Sequence, residues 1–309
     1  MKETFIFTLI NLLIIFFIPF LILGVIKKTK AFWGGRKGVS LFQPLYDFIK
    51  LLNKARVISN TTSWIFNLSS VVVFVATIFA SLFAPICCGI PIINIEAGFI
   101  VFSYILGLGK FFALISAMDT GSSFEGMGAS REACFTTIVE PAFFVILASI
   151  IALTGNTTFS SLTSIIQNSG SYGILIIFMA ILALGVMLLT ECSRVPVDDP
   201  TTHLELTMIH EVMILDNSGI DFALITWASG IKMLILMSLI ANLIIPAGLG
   251  FAISTLLLLI IYMILAIIIG TLESAIARFR MTHVFEFVFV MSSFALVIAS
   301  LVALKIYGV

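Results

Sequence analysis

Two apolar stretches joined by a short turn run from residue 222 to residue 270 as FALITWASGIKMLILMSLIANLIIPAGLGFAISTLLLLIIYMILAIIIG. Each stretch, Phe222–Ile245 and Leu249–Gly270, is long enough for a membrane-spanning helix, which needs about 20 apolar residues. Lys232 is the only charged residue in the segment. The intervening Pro-Ala-Gly breaks the helical pattern. The segment therefore predicts a helical hairpin that crosses a membrane twice.

The composition of the whole chain also indicates a lipid environment. Of the 309 residues, 61% are hydrophobic and 10% are charged, whereas about 25% of the residues of a soluble domain are charged. So few polar side chains cannot cover a soluble globule of this size. The 16 basic and 16 acidic residues cancel, so no net positive charge favours a nucleic-acid partner.

The first apolar stretch is longer than a signal-peptide core of about 7–15 residues, and its cluster of positive charges, Lys27, Lys28 and Lys30, follows it, whereas a signal peptide has its positive charges in front. It is therefore predicted to be a retained helix. We predict an all-α polytopic membrane protein, one transmembrane domain over residues 1–309 with about eight spans. The predicted spans are Phe5–Ile26, Ile65–Cys88, Gly98–Met118, Cys134–Leu153, Tyr172–Leu189, Phe222–Ile245, Leu249–Gly270 and Val284–Ile306.

Basic residues predict the orientation of the spans. Twelve of the 16 lysines and arginines fall after the first, third, fifth and seventh spans, and none falls in the other three loops. Because basic loops remain cytoplasmic, both termini are predicted on the outer side of the cell (inner) membrane. The predicted inner loops cover residues 27–64, 119–133, 190–221 and 271–283.

The first inner loop contains an amphipathic segment. From Pro44 onwards its apolar residues recur at helical spacing, with charged residues between them. One interpretation is a helix lying on anionic lipid; the other is a docking surface for a soluble partner. The docking candidates in this loop are Arg36, Gln43, Asp47 and Lys50.

The third inner loop is the most informative stretch. Six acidic residues lie between Glu191 and Asp216, together with Arg194. Asp199 before Pro200 predicts the start of a short helix. His203 and His210 are seven residues apart, on one helical face, but no third ligand is fixed by spacing. Hydrogen-bonding histidines or proton relays are therefore preferred to a metal pair. From this loop, Glu191, Glu205 and Glu211 are candidates for an ion path, and Arg194, Asp198 and Asp199 for partner docking.

Several ionisable residues fall inside the predicted spans. Lys110, Glu140 and Lys232 lie within them, and Glu286 lies near the start of the last one. A charge at bilayer depth costs several kcal/mol unless it is paired or hydrated. A structural Glu–Lys pair would satisfy this requirement. A proton or sodium path is the other interpretation, and it is favoured because intramembrane ionisable residues are usually functional.

The four cysteines, Cys87, Cys88, Cys134 and Cys192, form no CxxC pair and have no His-rich partner at ligand spacing. Iron–sulfur or zinc ligation is therefore not predicted, and the thiols are interpreted as small apolar side chains. No catalytic nucleophile–base motif such as GxSxG or HExxH is present either.

Three loop motifs resemble the NuoH family of complex I membrane subunits. The run from Gly35 through Gln43-Pro44-Leu45 to Lys54 is similar to that family's first cytoplasmic loop. The run from Glu191 to Leu206 resembles its acidic loop after the fifth span. Arg278-Phe279-Arg280 resembles its Arg-Tyr-Arg loop before the last span, so Arg278 and Arg280 join the docking candidates. The order of the spans extends the resemblance over nearly the whole chain.

At the positions where this chain departs from the NuoH family, its sequence resembles a narrower group of subunits. Thr202-His203-Leu204-Glu205-Leu206 stands where respiratory subunits have a glutamate-rich run, and Thr282 stands where they carry an aspartate. The phrase from Val195 to His210 is similar to the membrane-anchor subunit of group 4 NiFe hydrogenases of the formate-hydrogenlyase type. The resemblance implies no cofactor bound by this chain. It implies a NiFe centre and iron–sulfur clusters in hydrogenase small and large subunits, which the chain would join to antiporter-like membrane subunits and lipid.

Three functions remain open at this point. The first is a non-catalytic coupling subunit of an energy-converting hydrogenase, moving protons or sodium. The second is the equivalent subunit of a quinone-linked, complex I-like dehydrogenase, since the sequence does not decide whether a quinone binds. The third is a stand-alone ion transporter, which the absence of a visible inverted repeat and the heavy one-sided loops disfavour.

Overall fold

The computed structural model describes residues 2–155, 157–159, 170–199, 209–246 and 248–307. Within these residues the chain is helical and contains no strand; a single isolated bridge joins Cys87 to Ile90. The helices are α1 Lys2–Trp33, α2 Gln43–Leu52, α3 Trp64–Phe83, α4 Gly98–Asp119, α5 Ser123–Thr154, α6 Gly170–Glu191, α7 His210–Met213, α8 Gly219–Ile244, α9 Phe251–Ala275 and α10 Met281–Tyr307.

Eight of the helices in the described residues, all except α2 and α7, are long and apolar enough to cross a membrane. The predicted all-α, eight-span architecture is therefore confirmed. Helices dominate because a bilayer supplies no water to backbone N–H and C=O groups, which must bond within each segment. The amphipathic segment of the first loop is helix α2, with Pro44 in its first turn, where its missing N–H costs nothing.

Helix α5 differs most from its predicted boundary. It begins at Ser123, eleven residues before the predicted Cys134, so most of the predicted loop 119–133 is helix and the connector shrinks to residues 120–122. The polar residues of this first part misled the prediction. Glu125 and Glu132 are buried against other parts of the same chain, so the helix continues although its sequence is not apolar there.

Helix α8 lies at the centre of the bundle. Most of its residues from Ala228 to Leu243 are buried, and it packs against α1, α2, α3, α6 and α9. Gly230 permits a close approach to α1, because a Cβ there would lie 3.1 Å from that of Pro19. Small residues at helix contacts are how membrane helices gain packing energy, since lipid supplies little hydrophobic drive between them.

The loops that carry most of the basic residues meet at one end of the bundle, here called the basic end. Ser218 Oγ accepts a hydrogen bond from Val57 N at 2.8 Å, and Asp119 Oδ2 accepts one from Ser63 N at 2.7 Å. Phe279 N donates to Pro196 O at 3.0 Å. The four predicted inner loops are thus tied together. That the basic end faces the cytoplasm remains a prediction.

Candidate functional site: a buried charge cluster

A carboxylate held between two lysines lies inside the bundle. Glu191, the last residue of α6, lies 2.6 Å from Lys110 Nζ through Oε1 and 2.5 Å from Lys232 Nζ through Oε2. The lysines come from α4 and α8, so three helices supply one charged group each. The side chains of Lys110, Glu191 and Lys232 are 11%, 7% and 17% exposed, which places all three in the interior.

A second carboxylate extends this arrangement towards α5. Glu132 Oε1 lies 3.1 Å from Lys110 Nζ, which also donates to Thr136 Oγ1 at 2.9 Å. The other oxygen of Glu132 lies 3.6 Å from His210 Nδ1. Lys110, Glu132, Glu191 and Lys232 are called the central charge cluster. Its two carboxylates balance its two ammonium groups, as buried charges require.

Glu132 is a site residue that the sequence analysis missed, because residue 132 was assigned to a loop. A helical signal was nevertheless present. Glu125, Gly128, Glu132 and Glu140 are spaced by three, four and eight residues, which places all four close to one face of a continuous helix.

Glu140 is half-buried and lies eight residues beyond Glu132 on α5, about 12 Å along the helix. Its carboxylate makes no hydrogen bond or ion pair among the described residues. It lines a cavity of about 350 Å³ together with Lys110, Glu191 and Lys232. Most of the lining of this cavity is apolar, but four ionisable side chains face it and its volume is sufficient for water. Glu140 and the cluster residues Lys110, Glu191 and Lys232 therefore border one volume in which water could hydrate their charges.

A second cavity also borders the central charge cluster. It measures about 110 Å³ and is bordered by Glu132, Glu191, His210 and both cluster lysines.

Cys192, next to Glu191, is buried, and burial raises the pKa of its thiol to about 11. The thiol therefore stays protonated at neutral pH and adds no charge to the site.

Charged residues at the basic end form a separate group, the loop cluster. Arg194 Nη1 lies 3.3 Å from Glu273 Oε1, and Lys30 Nζ lies 3.0 Å from Glu273 Oε2. Lys30 also lies 3.7 Å from Asp199 Oδ1, and Arg278 Nη1 lies 3.7 Å from Asp198 Oδ1. The members are Lys30, Arg194, Asp198, Asp199, Glu273 and Arg278. Lys30 and Glu273 were not predicted as site residues, because their partners are remote in sequence.

The structure changes the interpretation of two predicted docking residues. Arg194 and Asp198 are 8% and 0% exposed, so their side chains face the protein's own interior. Asp198 Oδ2 accepts hydrogen bonds from Ile209 N at 2.8 Å and His210 N at 3.2 Å. Both residues therefore make contacts within the chain, and a role for them in partner docking stays a prediction.

Other docking candidates do reach the surface. Arg36, Lys50 and Arg280 are exposed, and Asp47 is half-exposed. Gln43 Nε2 donates to Asp47 Oδ1 at 2.8 Å, and Lys27 Nζ lies 3.9 Å from Asp47 Oδ2. Helix α2 faces the third inner loop across a cavity of about 330 Å³, which is bordered by Asp47, Arg194, His210, Glu211 and Glu273. The helix and the loop thus form opposite walls of one space.

The remaining ion-path candidates are not all brought together. Glu286 is 73% exposed and pairs with His283 at 3.0 Å, outside the central charge cluster. Glu211 lies beside the cavity next to α2. Glu205 and His203, and the helix start predicted at Asp199-Pro200, fall in or at the edge of residues 200–208, outside the described residues. The gathered candidates are Lys110, Glu140, Glu191 and Lys232, with Glu132 added.

With this geometry established, comparison with known proteins identifies the family. A family model described as NADH dehydrogenase matches residues 6–304. The chain belongs to this family.

Relatives within the NADH dehydrogenase family include proteins named for hydrogen metabolism. The chain is 28% identical over 283 residues to formate hydrogenlyase subunit 4 of Escherichia coli (strain K12), covering 89% of this chain and 91% of that protein. It is 27% identical over 243 residues to hydrogenase-4 component C of the same organism, covering 79% and 76%.

A solved structure shares the fold. A chain of the membrane-bound sulfane sulfur reductase (MBS), described as an archaeal respiratory membrane complex, superposes with a TM-score of 0.81 at 18% identity. The match covers 97% of this chain and 99% of that one. At this identity the likeness shows the fold alone, and it extends over essentially the whole bundle.

Proposed function

We propose that the chain is the membrane-anchoring and ion-coupling subunit of an energy-converting, membrane-bound NiFe hydrogenase complex. Two relatives bear the names of hydrogenase components. The observation that carries the coupling role is the central charge cluster. Two lysines and two glutamates buried inside a membrane bundle are costly, and a purely structural pair would not need to border two cavities.

The central charge cluster is suited to moving a proton or a small cation. Glu191 shares its two oxygens between two lysines. Weakening its contact with Lys232 leaves that ammonium group in need of another carboxylate, whereas Lys110 keeps Glu132. Glu140, which borders the same cavity without an ion pair of its own, is the available acceptor. A lysine that turns from Glu191 towards Glu140 would favour ionised Glu140 and release its proton. The reverse movement would favour proton uptake.

The basic end has a direct mechanical connection to the cluster. Asp198 fixes the backbone of Ile209 and His210, and the ring of His210 lies 3.6 Å from Glu132. A displacement of the loop would therefore change the distance from His210 to Glu132. We propose that a soluble redox subunit docked on α2 and the exposed loop residues drives this displacement.

The redox chemistry is assigned to partners. In this proposal the NiFe centre and the iron–sulfur clusters reside in the hydrogenase large and small subunits. This chain anchors those subunits to the membrane and transmits the displacement of its loop to antiporter-like membrane subunits. Its own residues bind the partner subunits, position charges and exchange protons or sodium ions. The protein lies in the cytoplasmic membrane with its basic end on the inner side.

One observation favours a second candidate, the same role in a quinone-linked dehydrogenase. The cavity beside α2 combines charged residues with Phe48 and Trp227. The buried indole N–H of Trp227 has no hydrogen-bond acceptor among the described residues. A quinone would offer a carbonyl acceptor and an apolar ring to such a space.

The deciding experiment is to purify the assembled complex through a tag on this chain and to assay both activities. Hydrogen evolution with a NiFe large subunit in the preparation is the expected result. Quinone reduction without hydrogen evolution would replace the first proposal by the second. If the chain purified alone and moved ions in liposomes, both would fail and the stand-alone transporter would be supported.

A further inference from the structure

The turn that follows α3, at the end of the bundle opposite the basic end, holds two adjacent cysteines. Residues 84–90 are called the cysteine turn. Asn242 Nδ2 donates to Pro85 O at 2.6 Å, and Tyr262 Oη donates to Ile86 O at 2.8 Å. Side chains from α8 and α9 therefore fix the backbone just before Cys87 and Cys88.

The two sulfur atoms converge on one point of α9. Cys87 Sγ and Cys88 Sγ are 3.9 Å apart, and they lie 3.2 and 3.1 Å from the same hydroxyl, Thr255 Oγ1. Cys88 Sγ also lies 3.2 Å from Phe251 O. Adjacent side chains in an extended chain point in opposite directions. Here the backbone of Cys88 is not extended but left-handed, with φ of 56°, and both sulfurs face the same hydroxyl.

A cavity of about 220 Å³ opens beside this pair, and Cys88, Asn242 and Ser254 contribute its polar lining. Asn242 is 1% exposed, and its Oδ1 has no hydrogen-bond donor. Its Nδ2 is committed to Pro85 O and Ser238 O, both at 2.6 Å. Exchanging the oxygen and nitrogen would place Oδ1 against two carbonyl oxygens, so an acceptor without a donor is the consistent assignment.

We propose that Cys87 and Cys88 form a two-thiolate site for a soft, thiophilic metal ion of the cadmium kind, in tetrahedral coordination. Thiolate ligands select such ions. Two thiolates at about 2.3 Å from a tetrahedral centre, the zinc–sulfur distance, are about 3.8 Å apart, and a larger ion such as cadmium widens this separation by a few tenths of an ångström. The sulfurs here are 3.9 Å apart. A water molecule on the metal, placed in the adjoining cavity, would donate the hydrogen bond that Asn242 Oδ1 lacks.

This site is independent of the proposed ion path. All four cysteines were predicted to be plain apolar thiols, because their spacing in the sequence reveals neither the shared hydroxyl nor the cavity. Binding would replace two S–H protons by one metal ion and release both protons.

The test uses the full-length chain in detergent, carrying Cys134→Ala to remove the exposed thiol, and cadmium ions as the probe. We expect one cadmium per chain, with the ultraviolet absorption of thiolate-to-cadmium charge transfer. Cys87→Ser and Cys88→Ser should each weaken binding at least about a hundredfold, since one of two thiolates is lost. Asn242→Leu, which keeps the side-chain volume but removes both the acceptor and the donor to Pro85 O, should weaken it about tenfold.

Melting temperature checks that each variant is folded, and Cys88→Ser carries the test if Cys87→Ser does not fold. Three results would overturn the proposal. The first is binding in Cys88→Ser within threefold of the parent chain. The second is cadmium uptake without the charge-transfer absorption. The third is an untreated chain whose mass is lower by two hydrogens, which would show that the pair is a disulfide.

Discussion

Glu191 joins the two lysines of the central charge cluster, because each of its oxygens contacts a different lysine. Lys110 has a second carboxylate in Glu132, at 3.1 Å, whereas Lys232 forms an ion pair only with Glu191 among the described residues. The two lysines are therefore not equivalent. Loss of Lys232 leaves Glu191 with one cation, and loss of Glu191 leaves Lys232 with none.

Replacing Lys232 by Met should destabilise the chain by about 3–5 kcal/mol, the usual cost of removing one partner of a buried ion pair. The double variant Lys232→Met/Glu191→Gln should recover part of this loss, because it removes both charges and leaves Lys110 with Glu132. Thermal denaturation in detergent measures the effect, with Lys305→Met at the exposed end of α10 as control. Equal melting temperatures for Lys232→Met and the control would show that the buried pair does not stabilise the fold.

The contact between α5 and the segment that contains α7 joins the loop to the cluster. Gly128 allows this contact, since a Cβ there would lie 2.9 Å from Ile209 O and 3.0 Å from Met213 Cγ. Glu125 reinforces it, because its Oε1 accepts a hydrogen bond from Asp216 N at 3.0 Å. The position of His210 beside Glu132 depends on this close packing.

Gly128→Ala should therefore displace the segment from α5, lower the melting temperature and reduce ion translocation in the complex. Gly126 is a matched control on the same helix, because nothing lies within 4 Å of a Cβ built there. Gly126→Ala should be neutral or stabilise the helix by up to about 1 kcal/mol. If both alanine variants behaved alike in stability and translocation, the tight contact would have no role in coupling.

Hydropathy was sufficient to predict the eight spans, since a lipid environment leaves few alternatives to long apolar helices. It failed where polar residues are buried by distant parts of the chain. Glu132 could not be placed without the knowledge that α4 and α7 supply Lys110 and His210. Glu273 is likewise recognisable only beside Lys30 and Arg194, which are far from it in sequence. Ion-pair partners that only folding brings together leave no local pattern in the sequence.

We expect the soluble partner to dock at the basic end, because α2 and the loops around it expose a face there. Lys50→Glu should release the peripheral subunits while the melting temperature of the chain is unchanged, because Lys50 is exposed. Rim charges mainly affect association and its salt dependence. Co-purification through a tag on this chain is the measurement, and Lys305→Glu, on α10 at the opposite end, is the control. Retention of the peripheral subunits by Lys50→Glu at normal yield and raised salt would count against docking on α2.

Across the whole molecule, the central claim is that Glu140 and the central charge cluster carry the transported ion. The most direct measurement is the number of ions translocated per electron by the assembled complex in proteoliposomes, comparing Glu140→Gln with the wild type. The amide keeps the shape and the hydrogen-bonding capacity of the side chain and removes its titration. Glu286→Gln is the matched control, because that carboxylate is exposed and outside the cluster. The account predicts that Glu140→Gln abolishes ion translocation, with electron transfer retained or slowed, and that Glu286→Gln keeps the wild-type ratio. A wild-type ratio in Glu140→Gln would contradict the account and leave Glu140 with a structural role only.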